Sequence, residues 1–282
     1  MPGLITTGTA NWADTKDFYP RGTKSDQQLA YYAAHLPMVE INASFFRRIA
    51  PDVYTRWAAE TPEGFAFTVK AHLAICQPIA DPARARDYLA AQHASVDPLR
   101  AAGKFLGFLV QFGPNVRPTP EAFTYLQQLR EGLVDLPVAL ELRRPDWLLG
   151  DMREQTLRRL RDLHLALVIS DEPRATEIGL PEPVTALTAR AFAYYRFAGR
   201  DDLGDVKPAD RRKQRAAHRY TTEAITELAN LVTANHTPQT TSVAVFYNKA
   251  GRNRVDDAQY LYAELARRGL AVPPIEKRAG ME

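Results

Sequence analysis

The sequence predicts a single (β/α)8 TIM barrel, an α/β fold, and three observations predict it. Eight short apolar, β-rich runs recur along the 282 residues. Amphipathic helix-like stretches separate them, which argues for parallel strands joined by helical crossovers. No G-x-G-x-x-G turn follows the first run, so the open dinucleotide-binding sheet is the weaker alternative.

The strand candidates are residues 4–8, 38–42, 65–70, 105–112, 137–142, 165–170, 191–197 and 241–248. The helix candidates are 25–35, opened by Ser25 as a cap, then 52–60, 83–101, 119–133, 153–163, 210–235 and 255–268. No internal repeat, low-complexity tract or linker interrupts this order. One domain over 1–282 is the simpler expectation.

Composition narrows the function classes. Hydrophobic residues make up 45% and charged residues 24%, ordinary values for a globular protein. The net charge is +3, which permits an anionic ligand but is too small to argue for nucleic acid. The single cysteine, Cys76, excludes an intramolecular disulfide and suits a reducing compartment. No basic segment leads into an apolar stretch near Met1, and no apolar run reaches the ~20 residues that span a bilayer. The expectation is a cytoplasmic protein with no membrane association.

Alternation along the strands gives a test of direction, because successive side chains face opposite sides. Val138, Leu140 and Leu142 then face the helices, while Ala139, Glu141 and Arg143 face the barrel interior. In the second run Val39 and Ile41 point outward and Glu40 and Asn42 inward. In the third, Phe65, Phe67 and Val69 point outward and Ala66, Thr68 and Lys70 inward. Gln111, Arg196 and Asn248 are expected to close their strands in the same way, with Asp171 directly after the sixth. Barrel enzymes carry their sites at the C-terminal ends of the strands. Glu40, Lys70, Glu141, Arg143, Asp171 and Arg196 are therefore expected to converge there, with Asn42, Gln111 and Asn248 between them.

The segments GTANW, FYP, VEINASFF, TPEGFAFTVKA, FLGFLVQFGP, ALELRRPDW, VISDEP, YYRFAGR and VFYNKAGRN, in this order, resemble the YecE-like family, domain of unknown function 72. The resemblance runs from about Gly8 to Leu265. It implies a TIM-type barrel and no particular reaction. It marks Trp12, Glu40, Asn42, Lys70, Gln111, Glu141, Arg143, Asp171, Arg196, Arg200 and Asn248 as family-typical polar positions. Departures accompany it. Arg144 stands where the family carries histidine after Glu-x-Arg, Ala198 stands where RFHG has histidine, and Ile75-Cys76 replace a Thr-His pair. The resemblance therefore implies no mechanism built on those histidines for this chain.

Each candidate has a structural reading beside the functional one. Glu141 and Arg143 could be an ion pair that plugs the barrel mouth. Across all the strand ends, three carboxylates and three cations cancel, and Arg144, Arg200, Lys249, Arg252 and Arg254 are expected to add a cationic rim. Such a rim suits a phosphate or carboxylate, which arginine binds in bidentate fashion. Lys70 is read as a charge that binds the anion, with a nucleophilic amine the lesser option. His72 could titrate near neutrality or act as a hydrogen-bonding residue. Trp12 could stack a ring of the ligand, or could be packing. The basic run 207–219 reads as a solvated helix opening ahead of a nucleic-acid contact.

No zinc spacing occurs among the histidines. Glu40, Glu141 and Asp171 could hold a divalent metal through oxygen ligands, but the interleaved cations oppose it, so no cofactor is expected. The expected function is acid/base chemistry on a small anionic, sugar-like substrate, phosphorylated or carboxylated. In it Glu40, Glu141, Asp171 and Lys70 are catalytic. Trp12, Asn42, His72, Gln111, Arg143, Arg196, Arg200 and Asn248 bind substrate. The alternatives are a metal-dependent phosphodiesterase of the endonuclease-IV type acting on nucleic acid, and a non-catalytic small-anion binder.

Overall fold

The computed structural model describes residues 3–171, 184–199, 210, 217–248 and 252–275. Its strands are β1 (Ile5–Ala10), β2 (Met38–Ile41), β3 (Ala66–Lys70), β4 (Phe105–Phe112), β5 (Val138–Leu142), β6 (Ala166–Asp171), β7 (Phe192–Phe197) and β8 (Thr241–Phe246). All pair in parallel with their sequence neighbours, and β8 pairs with β1, closing the barrel in the order 1 to 8. Closure leaves no sheet edge unpaired. The helices are α1 (Gln28–Ala33), α2 (Pro51–Glu60), α3 (Pro82–Ser95), α4 (Asp97–Ala101), α5 (Pro120–Gly132), α6 (Gly150–Asp162), α7 (Thr222–Ala234) and α8 (Asn253–Arg267). None of the described helices is long and apolar enough to cross a membrane.

Local chemistry sets the element ends. Asp81, Thr119 and Thr221 cap α3, α5 and α7 by accepting the N–H of Ala83, Ala122 and Ala224. Pro82 and Pro120 take the first helical position, where a missing N–H costs nothing. The helix expected over 83–101 divides at Val96, because Pro98 opens a second short helix at Asp97. The helix expected over 210–235 is interrupted: residues 218–221 are not helical and a new helix begins at Thr222, while most of the basic run 207–219 lies outside the described residues. At the end of α2 the buried Lys104 ammonium donates to the carbonyls of Ala58 (2.6 Å) and Thr61 (2.8 Å), satisfying groups a helix terminus leaves open.

Two cores result from strand alternation. The outward faces of the strands, with Val39, Phe67, Val110, Leu140, Ile169, Tyr195 and Phe246 among them, pack against the helices. The interior is filled by Ala10, Met38, Ala66, Leu109, Ala139, Val168, Tyr194 and Val245. One irregularity re-phases the barrel. The β3–β4 register slips between Phe67 and Thr68, so that Leu106 is an extra residue. Leu106 and Leu109 then both line the interior, and Gln111 follows them at the mouth. Gly107 sits at this slip, where a Cβ would meet the Phe192 ring at 2.7 Å and the Pro137 carbonyl oxygen at 2.9 Å. The apolar plug fills the barrel below, and the charged inward residues gather at its C-terminal end.

Candidate functional site

At the C-terminal mouth the inward residues of five strands form one hydrogen-bonded network. Arg196, on β7, lies at its centre. Its guanidinium donates to Glu141 Oε2 at 2.6 Å and to Glu40 Oε1 at 3.0 Å. Glu40 Oε2 accepts the Tyr194 hydroxyl at 2.8 Å, and that hydroxyl lies 2.9 Å from Thr68 Oγ1. Glu141 is shared more widely: Oε1 accepts from Arg143 at 2.9 Å and Oε2 also accepts from Gln111 at 2.5 Å. Gln111 Oε1 in turn accepts from the Lys70 ammonium at 2.9 Å. Register explains the meeting, since Gln111 and Glu141 are direct partners across β4 and β5.

Two aromatic rings complete the site. The Arg196 guanidinium stacks 4.1 Å above Tyr247, whose hydroxyl is 3.4 Å from an Arg143 donor. The Lys70 ammonium lies 4.4 Å from the centre of the Phe45 ring, a cation–π contact.

Electrostatics follows from this geometry. Burial opposes the charge on Glu141, but Arg196, Arg143 and Lys70 outweigh it and hold the carboxyl down at about 2. Arg196 is raised well above its ordinary value: burial works against it, and Glu141 and Glu40 more than compensate. Lys70 is lowered, first by burial and then by Arg196. Among the described residues no carboxylate lies within ion-pair distance of Lys70, whose ammonium donates to Gln111 Oε1. Two buried polar atoms, Asn42 Oδ1 and Arg196 Nε, have no hydrogen-bond partner among the described residues, an uncommon state for such groups.

The structure brings together Glu40, Lys70, Gln111, Glu141, Arg143 and Arg196, with Asn42 just past β2. Other expected members stand elsewhere. Asp171 is the last residue of β6 and shares the outward parity of Leu167 and Ile169. Its carboxylate accepts the Tyr220 hydroxyl at 2.8 Å. Asn248 also falls on the outward parity, and its amide donates to the His218 carbonyl at 2.7 Å and faces Asp257. The inward position at the end of β8 belongs to Tyr247. Trp12 is buried and meets Trp57 of α2 edge to face at 5.0 Å, so its ring is committed to packing. His72 caps the short turn Leu73–Ile75, accepting the Ala74 N–H. Arg200 lies outside the described residues.

The expected cationic rim is corrected as well. Arg144 pairs with Asp146 at 2.5 Å, Arg252 with Asp256 at 2.8 Å, and Arg254 is buried against Asp14 and Thr15. Lys249 lies outside the described residues. Among the described residues, Asp171 stands outside the network, and Lys70, Arg143 and Arg196 share the mouth with Glu40 and Glu141. Both of those carboxylates are engaged by guanidinium. Among the described residues no three His, Cys, Asp or Glu side chains gather as a metal site would require.

Sequence reasoning missed Tyr194 and Tyr247, whereas Phe45 is one of the loop aromatics the sequence offers for stacking. Counting alternate residues from Val243 and Val245 leads to Tyr247, and from Phe192 to Tyr194, so the same parity signal could have found both.

Comparison with known proteins agrees with the architecture. A family model described as "Protein of unknown function DUF72" matches residues 6–279. The UPF0759 protein YunF of Bacillus subtilis (strain 168) is 28% identical over 264 residues, covering 92% of this chain and 93% of that protein. The crystal structure of a DUF72 family protein from Enterococcus faecalis V583 superposes with a TM-score of 0.79 at 27% identity, covering 93% of this chain and 96% of that one. D-psicose 3-epimerase from Clostridium cellulolyticum H10 is similar in fold alone, with a TM-score of 0.55 at 11% identity over 95% of this chain and 99% of that one. Matched along nearly its whole length, the chain belongs to the DUF72 family.

Proposed function

We propose that the mouth binds a small anionic, sugar-like molecule, phosphorylated or carboxylated, and performs acid/base chemistry on it. The observation that carries this reading is the Lys70 ammonium, which among the described residues has the Gln111 amide rather than a carboxylate as its hydrogen-bond partner. An anion supplies that counter-charge. Arg143, whose side chain is 14% exposed against 3% for Arg196, is the guanidinium that reaches it. Asn42 Oδ1 and Arg196 Nε offer an acceptor and a donor to hydroxyl groups.

The roles differ from those expected of the residue types. Glu141, held at about 2, is a weak base at neutral pH and acts by orienting Arg143, Arg196 and Gln111. Glu40 fixes Arg196 and Tyr194. Lys70 is the proton-transfer group: protonated it attracts the anion, and its lowered pKa makes it a better acid toward a developing oxyanion. In this reading the partner is a small molecule and the chain works in the cytoplasm, which its one free, buried cysteine suits.

A thermal-shift screen of sugar phosphates and sugar acids tests the reading. A ligand at a hundred times its Kd stabilises by about 2.7 kcal/mol. Hits are expected to stabilise the wild type and to lose that effect in Arg143→Ala. If no anion stabilises the wild type, or Arg143→Ala responds equally, the reading fails.

A further inference from the structure

A cavity lies outside the barrel, between the segment that leads into α2 and α3. It encloses about 400 Å3, within the range of roughly 300–1,000 Å3 that small-molecule sites occupy. Its floor is well packed, since Ser44, Tyr54 and Ile75 are each nearly inaccessible. Ile49, Pro51, Ile75 and Ala91 give it an apolar surface.

The polar lining is one-sided. Arg48 and His72 both border the cavity, and no acidic side chain does. Arg48 has no carboxylate partner among the described residues. Its guanidinium lies 5.6 Å from the centre of the Tyr88 ring, which also carries Arg84 at 5.1 Å. His72 is held in one orientation. Its backbone N–H donates to the buried Gln92 Oε1 at 2.9 Å, and its Nδ1 accepts the Ala74 N–H at 3.2 Å. An imidazole that accepts through Nδ1 carries its proton on Nε2 when neutral. Burial and then Arg48 lower the pKa of the ring, which favours that neutral form. The cavity thus offers a guanidinium and an N–H donor above an apolar floor, which complements an anion with an apolar body.

We propose that this cavity is a binding site for a small amphiphilic carboxylate, its hydrocarbon body on Ile49, Pro51 and Ile75 and its carboxylate on Arg48 and His72. The site is distinct from the barrel mouth, and the nearest link between them is the Ser44 hydroxyl, which donates to the Lys70 backbone carbonyl at 2.6 Å. The class is an acyl or aryl carboxylate, and the site does not depend on what the mouth binds.

The test uses the full chain, octanoate as probe and 1-octanol as its uncharged counterpart. Binding is followed by calorimetry and by the imidazole resonances of His72. Octanoate is expected to bind saturably at millimolar concentration or below and to shift those resonances. Arg48→Ala should weaken octanoate at least tenfold while leaving octanol unchanged. Ala91→Trp, an exposed helix position that the larger side chain would use to fill the cavity, should weaken both ligands. Should that variant fail to fold, Arg48→Ala and the His72 resonances still decide. Octanoate that does not saturate the wild type, that binds Arg48→Ala unchanged, or that leaves His72 unmoved overturns the proposal.

Discussion

The Arg196 guanidinium donates to Glu141 Oε2 at 2.6 Å, with both side chains almost wholly buried at the mouth of the barrel. An ion pair this enclosed contributes less by its attraction than it costs when broken. Taking Glu141 away leaves the buried Arg196 with Glu40 as its remaining carboxylate among the described residues, a loss of roughly 3–5 kcal/mol for a broken buried pair.

Glu141→Gln is therefore expected to destabilise the fold by about 3 kcal/mol or more. The effect depends on pH in a defined direction. A carboxyl whose ordinary value of 4.5 falls to about 2 on folding stabilises fully above 4.5, and that contribution is lost as pH falls through 2. Denaturant titrations of wild type and variant should converge across that window. A constant gap between the two from pH 7 to pH 2 would show that Glu141 is not held ionised.

Lys70→Met should behave in the opposite way. The ammonium is buried without a carboxylate, and its pKa is lowered by that burial and by Arg196. A lowered lysine costs stability while it is charged, and the cost is relieved as pH rises toward 10.5. Methionine fills a similar volume with no charge. The variant is expected to melt at or above the wild-type temperature while losing anion binding and turnover, the exchange of stability for function seen at active sites. A lower melting temperature would indicate that Lys70 is structural.

Tyr247→Phe keeps the ring beneath Arg196 and removes only the hydroxyl near Arg143. Stability should change by about 1 kcal/mol or less, whereas Tyr247→Ala should cost more because the ring is lost from Arg196. Equal melting temperatures for the two variants would contradict the stacking role.

Asp257 on α8 gives a second pH signature. Its carboxyl is raised from 3.8 to about 6, chiefly by burial. Stability is favoured below 3.8, where the group is protonated in both states relative to its ionised form, and this advantage is lost as pH rises through 6. Asp257→Asn should flatten the decline in stability between those values. An unchanged profile would remove Asp257 from the account.

How much of this was legible in the sequence depends on the regularity of each strand. β2, β3, β5 and β7 run without a slip, so alternation alone turns Glu40, Lys70, Glu141, Arg143 and Arg196 to the interior. At β6 and β8 the expectation rested on the Asp or Asn at the end of the run irrespective of its phase, and Asp171 and Asn248 are each one position out of phase with the inward Ser170 and Tyr247. A single residue reverses the face, so the expected third carboxylate, Asp171, stands outside the network at the mouth. The rim was opaque for another reason. Arg254 finds Asp14 across 240 residues of chain, a pairing that composition cannot reveal. The Tyr247 ring was hidden because an aromatic residue after Val245 and Phe246 reads as packing.

The central claim is that the uncompensated charge at Lys70 draws an anion into the mouth, and a 31P NMR titration with inorganic phosphate tests it most directly. Wild-type protein should bind phosphate saturably at millimolar concentration, and folded Lys70→Met should bind at least tenfold more weakly, about 1.4 kcal/mol. Phosphate binding that is undiminished in Lys70→Met, or absent from the wild type, would contradict the account.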